Sequence, residues 1–186
     1  MNSLNKDFEK FFHKVEEIIT DIKAGKIIII VDDKSQENEG VLFQAAEKVT
    51  IESMNFFLTH GKRFIYLPYE QKRLEELGIL EDFTPLSLTI DARTKKDMGG
   101  GVLVRAGHKE AAIDLAKIAG LTPAGIICEI IKDDGEIALL PDLVEISKKF
   151  KLKIITIEEL IRYRKRKEKL IEKVAEVNMP TKMGKF

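Results

Sequence analysis

The chain has 186 residues, 44% of them hydrophobic, with 31 basic side chains against 31 acidic ones. That balance fits one globular domain and gives no net field to select nucleic acid or an anionic membrane. A lone cysteine, Cys128, excludes an internal disulfide and matches a reducing compartment. No stretch has signal-peptide character or the length to cross a bilayer, so the expectation is a soluble cytoplasmic protein.

Phe8, Phe11, Phe12, Val15, Ile18, Ile19 and Ile22 recur at helical spacing, and Gly25 sits where a glycine ends a helix. Ile27 to Val31 is an unbroken apolar run, the mark of a strand buried on both faces. An acidic loop follows, Asp32-Asp33-Lys34-Ser35-Gln36-Glu37-Asn38-Glu39-Gly40, and Val41-Leu42-Phe43 reads as a return strand. Thr50 caps a helix over Ile51 to His60, closed by Gly61. Phe64 to Leu67 is a further strand, Tyr69 to Leu77 a charged helix, and Leu86 to Asp91 a half-buried strand. Lys95 to Gly101 is loop. From His108 a helix carries Ala111, Ala112, Leu115, Ala116 and Ala119 on one face and stops at Gly120. Ala124 to Ile131 is a buried strand, Asp133-Asp134-Gly135 a turn, and Asp142 to Phe150 a helix. The strand Lys153 to Ile157 leads to a last helix through Val174, with Thr156 and Glu159 as its capping box. Strands and helices interleave without a strict βαβ repeat. The expected class is therefore α/β, or α+β in the looser sense: three layers, α-β-α, around a mixed sheet.

Three segments can carry chemistry. The acidic loop places four carboxylates within eight residues, a group that repels itself unless a cation or a polyhydroxylated ligand sits among the oxygens. Taken alone, it reads as a solvated turn. Gly99 to Ala111 sets the imidazole of His108 at a helix N-terminus, three residues past Arg105, where free N–H groups favour an anion and one ring nitrogen can bind metal. The bland alternative is a surface or capping histidine. Gly125 to Ile130 puts Glu129 on a buried strand, where burial suits a carboxylic acid to proton transfer, unless it lies at a wet edge. Cys128 reads as a small core residue.

In this order the segments resemble the 3,4-dihydroxy-2-butanone 4-phosphate synthase family, which supplies the four-carbon unit of riboflavin. The matching motifs begin with Val31-Asp32-Asp33 and Glu37-Asn38-Glu39-Gly40, then Gly100 to Leu103 with Arg105, Gly107 and His108. They continue through Pro123-Ala124-Gly125, Cys128-Glu129, Asp133-Asp134-Gly135 and Thr156 to Ile161 with Tyr163-Arg164. The tail, with Glu168-Lys169-Leu170 and Met179-Pro180-Thr181, resembles the junction to a GTP cyclohydrolase II domain in bifunctional riboflavin enzymes. The implied division is a synthase-like domain over 1–165 and a junction remnant over 166–186.

The resemblance implies a homodimer that converts ribulose 5-phosphate to 3,4-dihydroxy-2-butanone 4-phosphate and formate with Mg²⁺ or Mn²⁺. A GTP cyclohydrolase II is the implied partner. Carried over by motif, Glu37 and His108 hold the metal, and Glu129 and Asp32 are catalytic. Asp33, Glu39, Arg105 and Lys109 face the substrate. The chain also departs from the pattern at Gln36, Val41, Lys109, Gly61-Lys62-Arg63 and Tyr66, and a few dozen residues of the family are missing between Arg93 and Gly99. Without them the sheet closes differently or leaves an edge exposed. Lys62, Arg63, Lys95 and Lys96 are candidate replacement phosphate contacts. Two alternatives follow: an impaired homologue that keeps the fold as a binding or assembly module, and a generic sugar-phosphate or metal binder.

Overall fold

The computed structural model describes residues 8–32, 38–61, 64–69, 76, 101–168, 180–181 and 184–185. The centre is strand β1 (Ile28–Val31), whose four side chains are all buried, as an apolar run without alternation requires. Strand β2 (Gly40–Ala45) returns antiparallel beside it, with Ile30 opposite Val41 and Val31 opposite Gly40. The full sheet also holds β3 (Ile65–Tyr66), β4 (Gly125–Glu129) and β5 (Ile154–Thr156), in the order β3-β4-β2-β1-β5. Among the described strands only the β1–β5 pair is parallel, so the sheet is mixed. A small hairpin, β6 (Pro180–Thr181) with β7 (Gly184–Lys185), pairs with itself.

Helices cover both faces. Ile28 and Ile30 point toward α1 (Val15–Lys23), α3 (His108–Ile118) and α5 (Ile157–Lys167), where Ile18, Ile22, Ala111, Ala112, Leu115 and Leu160 close the core. Ile29 and Val31 face the other way, toward α2 (Ile51–His60) and α4 (Leu140–Phe150), and meet Phe57, Leu140, Leu143 and Val144. Each such fully buried aliphatic or aromatic side chain contributes about 1.5–3 kcal/mol relative to exposure. Three layers result, as the alternation of elements predicts. Among the described residues no helix is long and apolar enough to cross a membrane.

Local signals held where the chain satisfies itself locally. Gly25 takes φ +78° and closes α1 with a paired motif: its own N–H donates to Ile22 O at 3.0 Å and Lys26 N–H donates to Asp21 O at 3.0 Å. Gly120 ends α3 by the same pattern. At α2, Thr50 Oγ1 accepts from Ser53 N–H while Ser53 Oγ accepts from Thr50 N–H, a complete capping box.

Four expectations are corrected. The first helix does not start at Phe8. A single 3-10 turn, Glu9–Phe11, precedes an extended Phe12 that bridges to Ile154, and His13 N–H donates to Ile154 O at 2.8 Å. Pairing with β5 outcompetes helical continuation there. The last helix stops at Lys167, where Glu168 is extended, and the remainder of the expected helix to Val174 lies outside the described residues. Its capping box is half made: Thr156 Oγ1 accepts from Glu159 N–H at 3.1 Å. Tyr69 does not open a helix but bridges to Ala124; of the rest of that expected helix only Glu76 is described, and it is helical. The strand Leu86 to Asp91, most of the loop Lys95 to Gly101, and Lys62, Arg63, Lys95 and Lys96 also lie outside them.

Candidate active site

Three strands end at one rim of the sheet. Asp32 follows the last residue of β1, and its N–H donates to Glu39 O at 3.0 Å, closing the neck of the acidic loop. Asn38 makes the return in the left-handed region at φ 49°, which asparagine tolerates because its short polar side chain can bond locally. Across β2, Val41 lies opposite Glu129, the last residue of β4, so that carboxylate stands at the same rim. The N-terminus of α3 completes the wall. Gly107 is its N-cap in extended conformation with no side-chain cap, and His108 is the first helical residue.

These parts enclose a cleft of about 260 Å³ lined by Asp32, Arg105, His108, Lys109 and Glu129, with Tyr66 and Glu110 beside them. Five of the eight residues singled out by sequence therefore line one cleft. Glu39 contributes differently: its main-chain carbonyl, rather than its carboxylate, accepts hydrogen bonds from Asp32 N–H and from the His108 ring. Asp33 and Glu37 lie outside the described residues. Sequence reasoning missed Glu110 and noted Tyr66 only as a departure. Glu110 had a signal, an acidic residue in the first turn of a helix.

The electrostatics divide the cleft. Burial is the largest influence on His108 and holds its pKa below the ordinary value, against Asp32, the Glu39 carbonyl, Glu129 and Glu110, which all raise it. The ring is thus neutral at neutral pH. Its Nε2 is buried and has no hydrogen-bond partner among the described residues. A neutral imidazole with an unshared nitrogen, surrounded by carboxylates, is the donor chemistry a divalent cation takes. The second nitrogen is held by a main-chain carbonyl, the outer support that orients a ligating histidine. Among the described residues no three His, Cys, Asp or Glu side chains cluster tightly enough to hold a metal between them. His108 fits a metal ligand, and further oxygens must come from elsewhere.

On the other flank, Arg105 Nη1 lies 3.7 Å from Glu110 Oε1, and Lys109 Nζ sits 5.0 Å from the centroid of the Tyr66 ring. Both cations thus border the cleft, suited to an anionic substrate group. Cys128 points to the opposite face, fully buried, as a small core residue should.

The family model for 3,4-dihydroxy-2-butanone 4-phosphate synthase matches residues 16–97 and 94–163. The two matched stretches overlap at residues 94–97. The riboflavin biosynthesis protein RibBA of Aquifex aeolicus is 43% identical over 222 residues, covering 94% of this chain and 54% of the relative. Those 222 aligned positions exceed the 186 residues of the chain by 36, so at least 36 positions have no counterpart here. The chain spans about half the length of the curated relatives it matches. Among solved structures, RibBX, a two-domain 3,4-dihydroxy-2-butanone 4-phosphate synthase from A. baumannii, matches with TM-score 0.77 and 34% identity, over 94% of this chain and 64% of that one. A 3,4-dihydroxy-2-butanone 4-phosphate synthase in complex with two magnesium ions shares the fold at TM-score 0.72 and 23% identity, over 86% of this chain and all of that one.

Proposed function

The chain belongs to the 3,4-dihydroxy-2-butanone 4-phosphate synthase family of riboflavin biosynthesis, and from that membership we propose that it is a lyase that releases formate from ribulose 5-phosphate. One observation carries the reading: the buried, unpartnered Nε2 of His108 in a cleft bordered by carboxylates on one flank and cations on the other. A related structure holds magnesium, and we assign Mg²⁺ or Mn²⁺ to His108 with Glu37. When bound, the metal polarises the sugar's oxygens and stabilises negative charge that develops on them.

The protein's own groups do the rest. Arg105 and Lys109 hold the anionic substrate against the open start of α3. Glu129, on a strand that cannot shift, takes the proton from the carbon beside the sugar's carbonyl and returns it in a later step. Asp32 faces the same cleft and relays a second proton, Asp33 binds a hydroxyl group, and Glu39 steadies the His108 ring through its main-chain carbonyl. The sheet rim sets Asp32 and Glu129 before substrate arrives, which is how positioning lowers a barrier.

We further propose that residues 1–165 form the synthase domain, that 166–186 belong to a junction of the kind that leads to a GTP cyclohydrolase II domain, and that the enzyme is a cytoplasmic homodimer. The greater length of its relatives supports the first two statements, and the reduced, buried Cys128 supports the compartment. A specific observation favours a second reading. The 36 or more aligned positions without a counterpart in the chain suit an impaired homologue that serves as a binding or assembly module.

Formate release from ribulose 5-phosphate with Mg²⁺ separates the two. The lyase reading expects formate that a Glu37→Ala variant does not produce. Equal background from both proteins would leave the module.

A further inference from the structure

The stretch that carries Arg105 to the cleft is held by residues far from it in sequence. Gly101 to Leu103 forms a single 3-10 turn, and Gly101 O accepts from both Val104 N–H and Arg105 N–H at 3.1 Å. Asp114, on the inner side of α3, reaches this turn: Oδ2 accepts from Val102 N–H at 2.8 Å. The carboxylate lies where a side chain on Gly101 would stand, and Gly101 itself has φ +55°, so only glycine suits the site. The same Oδ2 accepts from Arg164 Nη1 of α5 at 2.7 Å. Arg164 then grips Glu168 with its other nitrogens, Nε to Oε1 at 2.6 Å and Nη2 to Oε2 at 2.7 Å. Asp114 and Arg164 are only 7% and 13% exposed. Burial pushes the Asp114 carboxyl up while Val102 and Arg164 pull it down, so a broken pair leaves a costly buried group.

We infer that Asp114 and Arg164 are positioning residues: their shared contact pins the Gly101–Leu103 turn between α3 and α5 and so sets where Arg105 meets the cleft. This rests on the substrate-binding role given to Arg105 above. His108 is not held this way, because α3 is anchored by Ala111, Ala112 and Leu115 in the core. Loosening the clamp therefore displaces the substrate-facing cation and leaves the imidazole in place. The consequence is a change in substrate affinity rather than in the chemical step.

The test compares the native protein with Arg164→Gln, Asp114→Leu, Arg164→Lys and a surface control, Arg162→Gln, whose ion pairs with Glu158 and Glu159 lie on the exposed side of α5. All are measured well below their unfolding midpoints. Amide exchange by NMR at Val102, Val104 and Arg105 reads the turn without relying on activity. In Arg164→Gln and Asp114→Leu these amides should exchange about tenfold faster or more, with those of β1 unchanged. KM for ribulose 5-phosphate should rise about tenfold with kcat within about threefold, the pattern of lost uniform binding. Arg164→Lys pairs with one carboxylate but not both, so it recovers part of each effect. Arg162→Gln should match the native protein. Unchanged exchange at Val104 and Arg105 overturns the clamp, and faster exchange with native KM overturns its positioning role. A native protein that releases no formate would sink the proposed function and the KM prediction with it, while exchange still decides the clamp.

Discussion

Two buried side-chain nitrogen or oxygen atoms among the described residues lack a hydrogen-bond partner, Gln44 Oε1 near the end of β2 and His108 Nε2 beside its beginning. Their surroundings differ. In one corner the Gln44 amide nitrogen is fully engaged: its Nε2 donates to Gly25 O at 2.7 Å and Lys48 O at 3.2 Å, tying the end of α1 to the turn after β2. Close by, Asp21 Oδ1 meets Lys26 Nζ at 2.9 Å and Oδ2 meets Lys153 Nζ at 3.2 Å. The orphan oxygen there is the remainder of an amide whose nitrogen is fully used. At the other end the imbalance is concentrated on one ring among carboxylates, lining a cleft. The same defect means structure in one place and ligand chemistry in the other, and the neighbours decide which.

Mutations should separate the two ends cleanly. The largest effect belongs to Glu129→Gln, which removes the proposed proton carrier and should cut formate release by about 10²–10⁴-fold. Its unfolding midpoint should stay near the native one, and a fully active variant would move proton transfer elsewhere. His108→Ala should weaken Mn²⁺ binding, read by calorimetry, by more than the roughly 10–100-fold that losing an outer-shell partner costs. The ring's hydrogen bond to the Glu39 carbonyl goes as well, so stability to urea should fall by about 1–3 kcal/mol; a larger fall with Mn²⁺ binding unchanged would make the ring a structural residue.

Gln44→Leu reverses the pattern. It strands the Gly25 and Lys48 carbonyls and should cost about 1–3 kcal/mol in urea unfolding, with kcat/KM of the folded protein unchanged. Asp21→Asn gives the smallest change, about 1 kcal/mol or less, because its lysine partners are partly exposed. Lys26 and Lys153 outweigh burial and lower the Asp21 pKa. Its stabilising share is therefore fully present above the unfolded value near 4 and lost as pH falls through the lower folded value. The native and Asp21→Asn proteins should differ at pH about 7 and converge below about 3. A difference that persists in acid would assign the effect to packing.

Much of this architecture was legible in the residues. The apolar run of β1, the threonine before α2, the glycines after α1 and α3 and the small-residue face of α3 each describe a local need that the sequence meets on the spot. So do the ordered motifs that identify the family. The break in the first helix was not legible, because Phe12 and His13 answer to Ile154, some 140 positions away. The end of the last helix at Lys167 carries no glycine or proline to announce it. At the site, the types Asp32, Arg105, His108, Lys109 and Glu129 were readable, yet Glu110 and Tyr66 were not. A side chain enters a cleft through the crossing of elements, which spacing along one element does not encode.

Residue chemistry and short-range pattern by themselves determined which segments are strands or helices, which family the chain joins and which side chains could bind or react. The folded arrangement alone decided that Glu39 acts through its carbonyl, that Asp114 reaches back to Val102, and that the His108 ring stays neutral with one nitrogen unshared. The division has a physical cause. Caps and periodicities depend on neighbours within a few bonds, whereas desolvation and convergence depend on whatever the rest of the chain packs around a group.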